Sequence, residues 1–288
     1  MPSFRNAFGW SYYPLKIVNQ AYRFARPKAR PRLRVLSYHD MAEADEELLA
    51  RQLRWLLKRW NIVSPQDFAA IVDGKMRAER DTLLLTFDDG TISNLHVAEH
   101  VLRPLGIRAL FFVVGKYAML AEGDDWRAFA AKNIVPTRNR TAFPENFRNM
   151  SIRDLKMLLT NGHVIGAHTA THARLSTLTG ESLREEIVGG ADLLEAHMGT
   201  PIRHFAYPFG DFASISVEAI RVARQRFAYV YTAMRGDNMR AGLPWHLLRD
   251  SNDPHDSLWF TGACLEGAAD FLYTRKHRSC VGAVDLTG

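Results

Sequence analysis

The stretch "LLLTFDDGTISN", residues 83–94, decides how this chain is read. Four apolar or β-favouring residues run into Phe87, and then Asp88 and Asp89 stand side by side. Two adjacent carboxylates at the end of a buried strand repel each other when both are ionised. One explanation is local: Asp-Asp-Gly is a good turn sequence, because Asp bonds nearby backbone and Gly90 tolerates positive φ. The other is chemical: a cation, or a division of labour between a base and a ligand, makes the pair useful.

Working outward, the chain alternates short apolar runs with amphipathic patterns. Strands are expected at 33–38 ("LRVLSY"), 83–87, 109–114 ("ALFFVV"), 163–167 ("HVIGA"), 203–208 ("RHFAYP"), 227–232 ("FAYVYT") and 245–248 ("WHLL"). Helical patterns lie between them, as in "EELLARQLRWLLKRW" and "SIRDLKMLLTNG", the latter opening on Ser151 as an N-cap and closing at Asn161-Gly162. Strands without a polar face, alternating with helices, imply a parallel sheet covered by helices. The expected fold is α/β: seven strands in one run suit either an open doubly wound sheet or a β/α barrel, and the length allows one barrel-sized domain or two smaller ones. Residues 115–150 break the rhythm and read as an insertion over one face. The expected organisation is an arm over 1–32, a barrel over 33–262 and a C-terminal helix and tail over 263–288.

Bulk properties narrow the classes. Of 288 residues, 47% are hydrophobic and 24% charged, too hydrophobic for a disordered chain. Two cysteines, Cys264 and Cys280, exclude a cysteine-rich metal site and suggest no disulfide framework. The first residues lack a long apolar core of the signal-peptide kind, and no run of 18 apolar residues occurs, so a cytoplasmic enzyme is expected. The net charge is +6, but residues 1–39 hold eight Lys/Arg and no acid, which leaves −2 for the rest. Aromatics such as Trp10, Tyr12, Tyr13 and Phe24 interleave with that charge. The arm therefore reads either as an interfacial segment on anionic lipid, at the inner face of the membrane, or as aromatics packed on the domain beneath solvated charges. Nucleic acid is not expected, because no reader motif accompanies the charge.

Polar residues gather at the carboxyl ends of the expected strands, where a β/α barrel carries its chemistry. His39-Asp40 follow the first, Asp88-Asp89 the second, His168 the fourth, Tyr207 to Gly210 the fifth and Arg249-Asp250 the last. "HTATH" places His168 and His172 four residues apart. Two imidazoles and a carboxylate are a common set for a catalytic divalent metal with a position left for water. The opening question then has an answer: one Asp binds the cation while the other takes a proton from water whose pKa the cation has lowered, to about 7 in favourable zinc sites.

Here "TFDDG", "HTATH" and "FAYPFG" resemble the first three motifs of the polysaccharide deacetylases (the NodB homology domain, carbohydrate esterase family 4). "RVLSYHD" with "LARQLRWLLKRWNIVSPQDF" resembles the opening of the poly-N-acetylglucosamine deacetylase branch, and the resemblance runs over about residues 33–260. It implies a distorted, seven-stranded (β/α) barrel and a divalent metal, often zinc, with cobalt, nickel or manganese as alternatives. Asp89, His168 and His172 would hold it, and Asp88 would be the general base. The third motif would place the backbone N–H of Phe209 on the oxyanion, with Tyr207 beside the substrate. The sequence departs from the family at Ala206, where an "RPPYG" motif has its Arg, and Arg249 is the expected substitute beside Asp88. The late motif that supplies the general acid is not evident; His255 is preferred over His246.

The activity expected is metal-dependent hydrolysis of the N-acetyl group of an amino sugar in a glycan or lipid-linked glycan. A deformylase or other deacylase on a lipid-linked amino sugar is one alternative, a catalytically silent glycan-binding barrel another. Trp126, Phe143, Phe147 and Trp259 are read either as sugar-stacking rings or as core and lid packing.

Overall fold

The computed structural model describes residues 31–137, 139–240 and 242–285, together with Tyr13, Pro14, Ile17, Val18 and Ala21. Most of the basic arm read at 1–32 thus lies outside the described residues.

Seven parallel strands form one path: β1 (Leu33–Tyr38), β3 (Thr82–Phe87), β4 (Leu110–Val113), β5 (Val164–Ala167), β6 (His204–Ala206), β7 (Tyr229–Tyr231) and β8 (Asp250–Ser251), in the spatial order β7-β6-β5-β4-β3-β1-β8. A two-residue strand, β2 (Asn61–Ile62), adds to β3 off this path. The path bends round on itself. Leu247 bridges Tyr231 of β7, and three residues later Asp250 pairs with Leu36 of β1. Backbone bonds from Leu247 N to Val230 O (2.7 Å) and from Asn252 N to Ser37 O (2.9 Å) stitch both sides. This is the distorted barrel, closed by a segment with little regular pairing.

The apolar strands have two buried faces, and alternate residues serve each. Val35, Leu84, Leu110, Phe112, Tyr231 and Leu247 share one cluster with Phe68 and Ile71 of α2 (Pro65–Val72). Leu36, Leu85, Phe111, Val113 and Ile165 share the other, with the helices. Those helices include α1 (Glu46–Leu57), α3 (Ile92–Val97), α6 (Ile152–Thr160), α8 (Gly190–Met198) and α9 (Val217–Arg226). The Ser151 cap forms as expected, as a reciprocal capping box with Asp154. Short helices α4 (Gly115–Ala118), α5 (Trp126–Phe129) and α7 (Gly180–Arg184) complete this part, and α10 (Leu258–Leu265) and α11 (Phe271–Asp285) end the chain.

The 115–150 segment has its own small core of Tyr117, Trp126, Ala130, Ile134, Phe143 and Phe147. Trp126, Phe143 and Phe147 are buried there, so of the two readings they serve packing.

Candidate active site

Because every strand runs the same way, the turns after β1, β3, β5 and β6 open at one end of the barrel. The backbone of these turns is unusual. Among the described residues, four other than glycine have clearly left-handed φ: Asp89 (77°), Thr169 (63°), His172 (66°) and Phe209 (63°). All four lie in the "DDG", "HTATH" and "YPFG" turns. Such conformations cost free energy and persist where the surroundings hold them for a purpose.

The turn after β3 separates the two carboxylates. Asp88 is buried, and its Oδ1 accepts a hydrogen bond of 2.7 Å from Nη1 of Arg249. Arg249 is itself buried and fixed: its Nε donates to the Thr232 carbonyl at 2.8 Å and its Nη1 reaches Thr86 Oγ1 at 3.3 Å. Burial raises the pKa of Asp88, but Arg249 and then His168 and His39 outweigh it and bring it down to about 2. Asp88 is therefore a fully ionised, oriented acceptor.

Asp89 turns the other way, into a set with two imidazoles. Its Oδ1 is buried and has no hydrogen-bond partner among the described residues. It lies 3.5 Å from His172 Nε2 and 3.7 Å from His168 Nε2. Both histidines use their other nitrogen on backbone: His168 Nδ1 donates to the Ala206 carbonyl at 2.7 Å, and His172 Nδ1 to the Asn133 carbonyl at 3.1 Å. Those bonds fix the tautomer and leave each Nε2 lone pair facing Asp89. Burial, first, holds the His168 pKa at about 4, so the ring is neutral. These separations are long for hydrogen bonds but suit a shared cation. Donors about 2.1 Å from one tetrahedral centre lie about 3.4 Å apart. The three residues are the one such group among the described residues, and an orphaned buried carboxylate oxygen between two free imidazole lone pairs fits a divalent metal.

The second turn is held from behind. Thr171 N and Oγ1 donate to the Glu186 carboxylate at 2.9 and 2.7 Å, and Ala170 N to the Glu186 carbonyl. Gly190, at the start of α8, lies so close that an added Cβ would sit 2.5 Å from Ala170 N. The Asn133 carbonyl, which accepts the hydrogen bond from His172 Nδ1, lies in the 115–150 segment, so that segment helps to hold the site.

The other residues singled out in the sequence divide. Phe209 is 41% exposed at the mouth, its ring 4.9 Å from that of His172. Its backbone N–H has no acceptor among the described residues. Tyr207 is buried edge-on to Phe205, and its hydroxyl has no hydrogen-bond partner among the described residues. His255 lies on the rim with its Nε2 3.1 Å from Asp45. His246 is buried against His277, ring centroids 4.9 Å apart. His39, following β1, has its Nε2 3.9 Å from Asp88 Oδ2 and its side chain 48% exposed. It was noted in the sequence only as a strand-end residue. The signal that marks it is register: Asp88 N donates to the Tyr38 carbonyl, so the residue after Tyr38 sits beside Asp88.

Comparison with known proteins gives a consistent picture. The family model described as polysaccharide deacetylase matches residues 75–228. YxkH of Bacillus subtilis, assigned by name to the polysaccharide deacetylases, is 20% identical over 194 residues, covering 65% of this chain; the match spans 60% of the length of that relative. Among solved structures, IcaB from Ammonifex degensii is 25% identical, with a TM-score of 0.62 over 82% of this chain and 98% of that one. The Streptococcus pyogenes deacetylase PplD, in complex with acetate, has a TM-score of 0.64 at 17% identity, covering 82% of this chain and 99% of that one. The BpsB deacetylase domain from Bordetella bronchiseptica has a TM-score of 0.63 at 20% identity, covering 78% and 98%. The last two speak to the fold.

Proposed function

Since the chain belongs to the polysaccharide deacetylase family, we propose that it hydrolyses the N-acetyl group of an amino sugar in a glycan or lipid-linked glycan, with a divalent metal, zinc first, held by Asp89, His168 and His172. The observation that carries this reading is the pairing of an ionised, Arg-oriented Asp88 with the orphaned Asp89 oxygen between two imidazoles. When bound there, such a cation supplies a Lewis acid and lowers the pKa of water. That lets a weak base serve. Asp88, at about 2, is one, and Arg249 holds its Oδ1 so that Oδ2 faces the mouth and His39. The Phe209 N–H donates to the developing oxyanion. For the leaving amine, His39 replaces His255 as the acid in this reading, because it stands beside the base at the mouth while His255 engages Asp45.

The test is amine release from N-acetylated and N-formylated oligosaccharides by protein stripped of metal and reloaded. Asp88→Asn should keep bound metal but lose turnover by about 10² to 10⁴. Turnover within twofold of the native chain moves the base elsewhere, and amine release from the formylated sugar alone favours a deformylase. A place at an anionic membrane surface is proposed on composition: eight Lys/Arg and no acid in residues 1–39. Deleting residues 1–32 should abolish salt-sensitive liposome binding and spare turnover of a short soluble substrate; full-length protein that ignores anionic liposomes removes the proposal.

A further inference from the structure

We propose that Arg174 is a positioning residue: it clamps the Phe209 ring against His172, and so holds the Phe209 N–H in place for the reaction. The proposal rests on the deacetylase reading above and deepens it.

The starting point is a conflict. Phe209 holds φ at 63°, and Gly210 after it at 61°. Gly210 needs its identity, since a Cβ there would lie 2.5 Å from Ala233 N. Phe209 does not share that excuse. A glycine would adopt the left-handed conformation freely, whereas a phenylalanine resists it. What the Phe209 ring touches therefore bears on how the turn is held.

The ring touches two things. One is the His172 imidazole, centroid to centroid 4.9 Å, at 55°. The second is the Arg174 guanidinium, its Cζ 4.6 Å from the ring centroid. A cation over a ring face is attracted by the ring quadrupole. Arg174 is itself aimed by Asp211, with Nη1 4.0 Å from Oδ1, and Asp211 also caps the turn that follows by accepting from Ser214 N. The "HTATH" turn therefore sends two residues to one ring: His172 from within the turn and Arg174 just beyond it.

This arrangement ties two functions together. The ring reports to the metal-binding imidazole, while the backbone of the same residue carries the unpartnered N–H. Loosening the ring lets the turn relax toward ordinary φ, and the N–H turns with it. Arg174 need not touch substrate to act. A contact of this kind corresponds to about two- to fivefold where exposed and up to about thirtyfold where dry. Arg174, partly exposed, belongs near fivefold.

The experiment compares Arg174→Met and Arg174→Lys, each in the native and the Phe209→Ala background. The readouts are turnover of penta-N-acetylchitopentaose, bound metal and amide hydrogen exchange. Arg174→Met should lower kcat about fivefold with KM and metal content within twofold, and Arg174→Lys should recover most of it. In the Phe209→Ala background Arg174→Met should add nothing. The Gly210 amide, which bonds the Pro208 carbonyl at 2.6 Å, should exchange about fivefold faster in Arg174→Met. Unchanged exchange overturns the clamp. So does a loss of kcat/KM that persists in the Phe209→Ala background, which would mean that Arg174 meets substrate directly. If the native protein releases no amine from any N-acylated sugar, the functional reading fails, and the exchange measurement still decides the clamp.

Discussion

At the scale of single residues, the chemistry lies in how the backbone separates neighbours. Asp88 and Asp89 are adjacent in sequence, yet one faces Arg249 and the other two imidazoles, because Asp89 takes φ of 77°. The types and spacing of these residues were legible: two carboxylates, two histidines four apart, and Arg249, though Arg249 lies just before β8 and not after the last strand. The histidine beside Asp88 was not, since its proximity depends on strand register rather than on any motif. His255 looked available on a loop but pairs with Asp45, while His39 stands beside Asp88. If His39 protonates the leaving amine, His39→Gln should cut kcat by about 10² or more. His255→Gln should stay within twofold. Equal losses in the two variants, read by steady-state kinetics, would remove His39 from the role.

At the scale of elements, the central strands were easy to read because both faces are buried. β1, β3 and β4 fall within a residue of the apolar runs. The last strand was harder. "WHLL" marks the bridge at Leu247, but the pairing with β1 falls at Asp250–Ser251, where polarity hides it. Asp250 is buried because Arg34 and Arg235 surround it at 2.8 and 3.0 Å, an ionic staple no hydrophobic pattern reveals. β2 is too short to leave a pattern. Close packing of α8 on the "HTATH" turn was equally invisible, because Gly189-Gly190 reads as a helix defect. Its cause is contact: Gly190 has no room for a Cβ beside Ala170 and Thr169. Gly190→Ala should cost about 1–3 kcal/mol through overpacking and weaken metal binding by displacing the turn. Denaturant midpoints and metal titration check this. A variant that is stabilised, as a helical Gly→Ala change would be in open space, would show that the turn yields freely.

For the whole molecule, the buried histidines set the response to acid. His163, His204 and His246 are buried away from the site, and burial, first, lowers their pKa values to about 4, 3 and 3. His163 uses its neutral form, accepting from Ala109 N at 3.1 Å. In the unfolded chain each titrates near 6.5. The sign follows from proton counting. As pH falls below about 6.5 the unfolded state binds protons that the folded state refuses, so stability is full above that value. It declines until the folded pKa values near 3 to 4 are reached. Asp88, at about 2 when folded, adds its own loss only below the ordinary carboxylate range. His246 isolates the effect, because neither of its ring nitrogens has a hydrogen bond to lose among the described residues. It lies on the closing segment against His277 of α11, so its protonation would push on the seam between the barrel and the C-terminal helix. His246→Phe keeps a ring against His277 and removes one proton-binding group. Between pH 6 and 4 its unfolding free energy should fall less steeply than that of the native chain, by about 1.4 kcal/mol per pH unit. Denaturant titrations at several pH values give the two slopes. Parallel lines would mean that His246 is already protonated, or reaches water, in the folded protein.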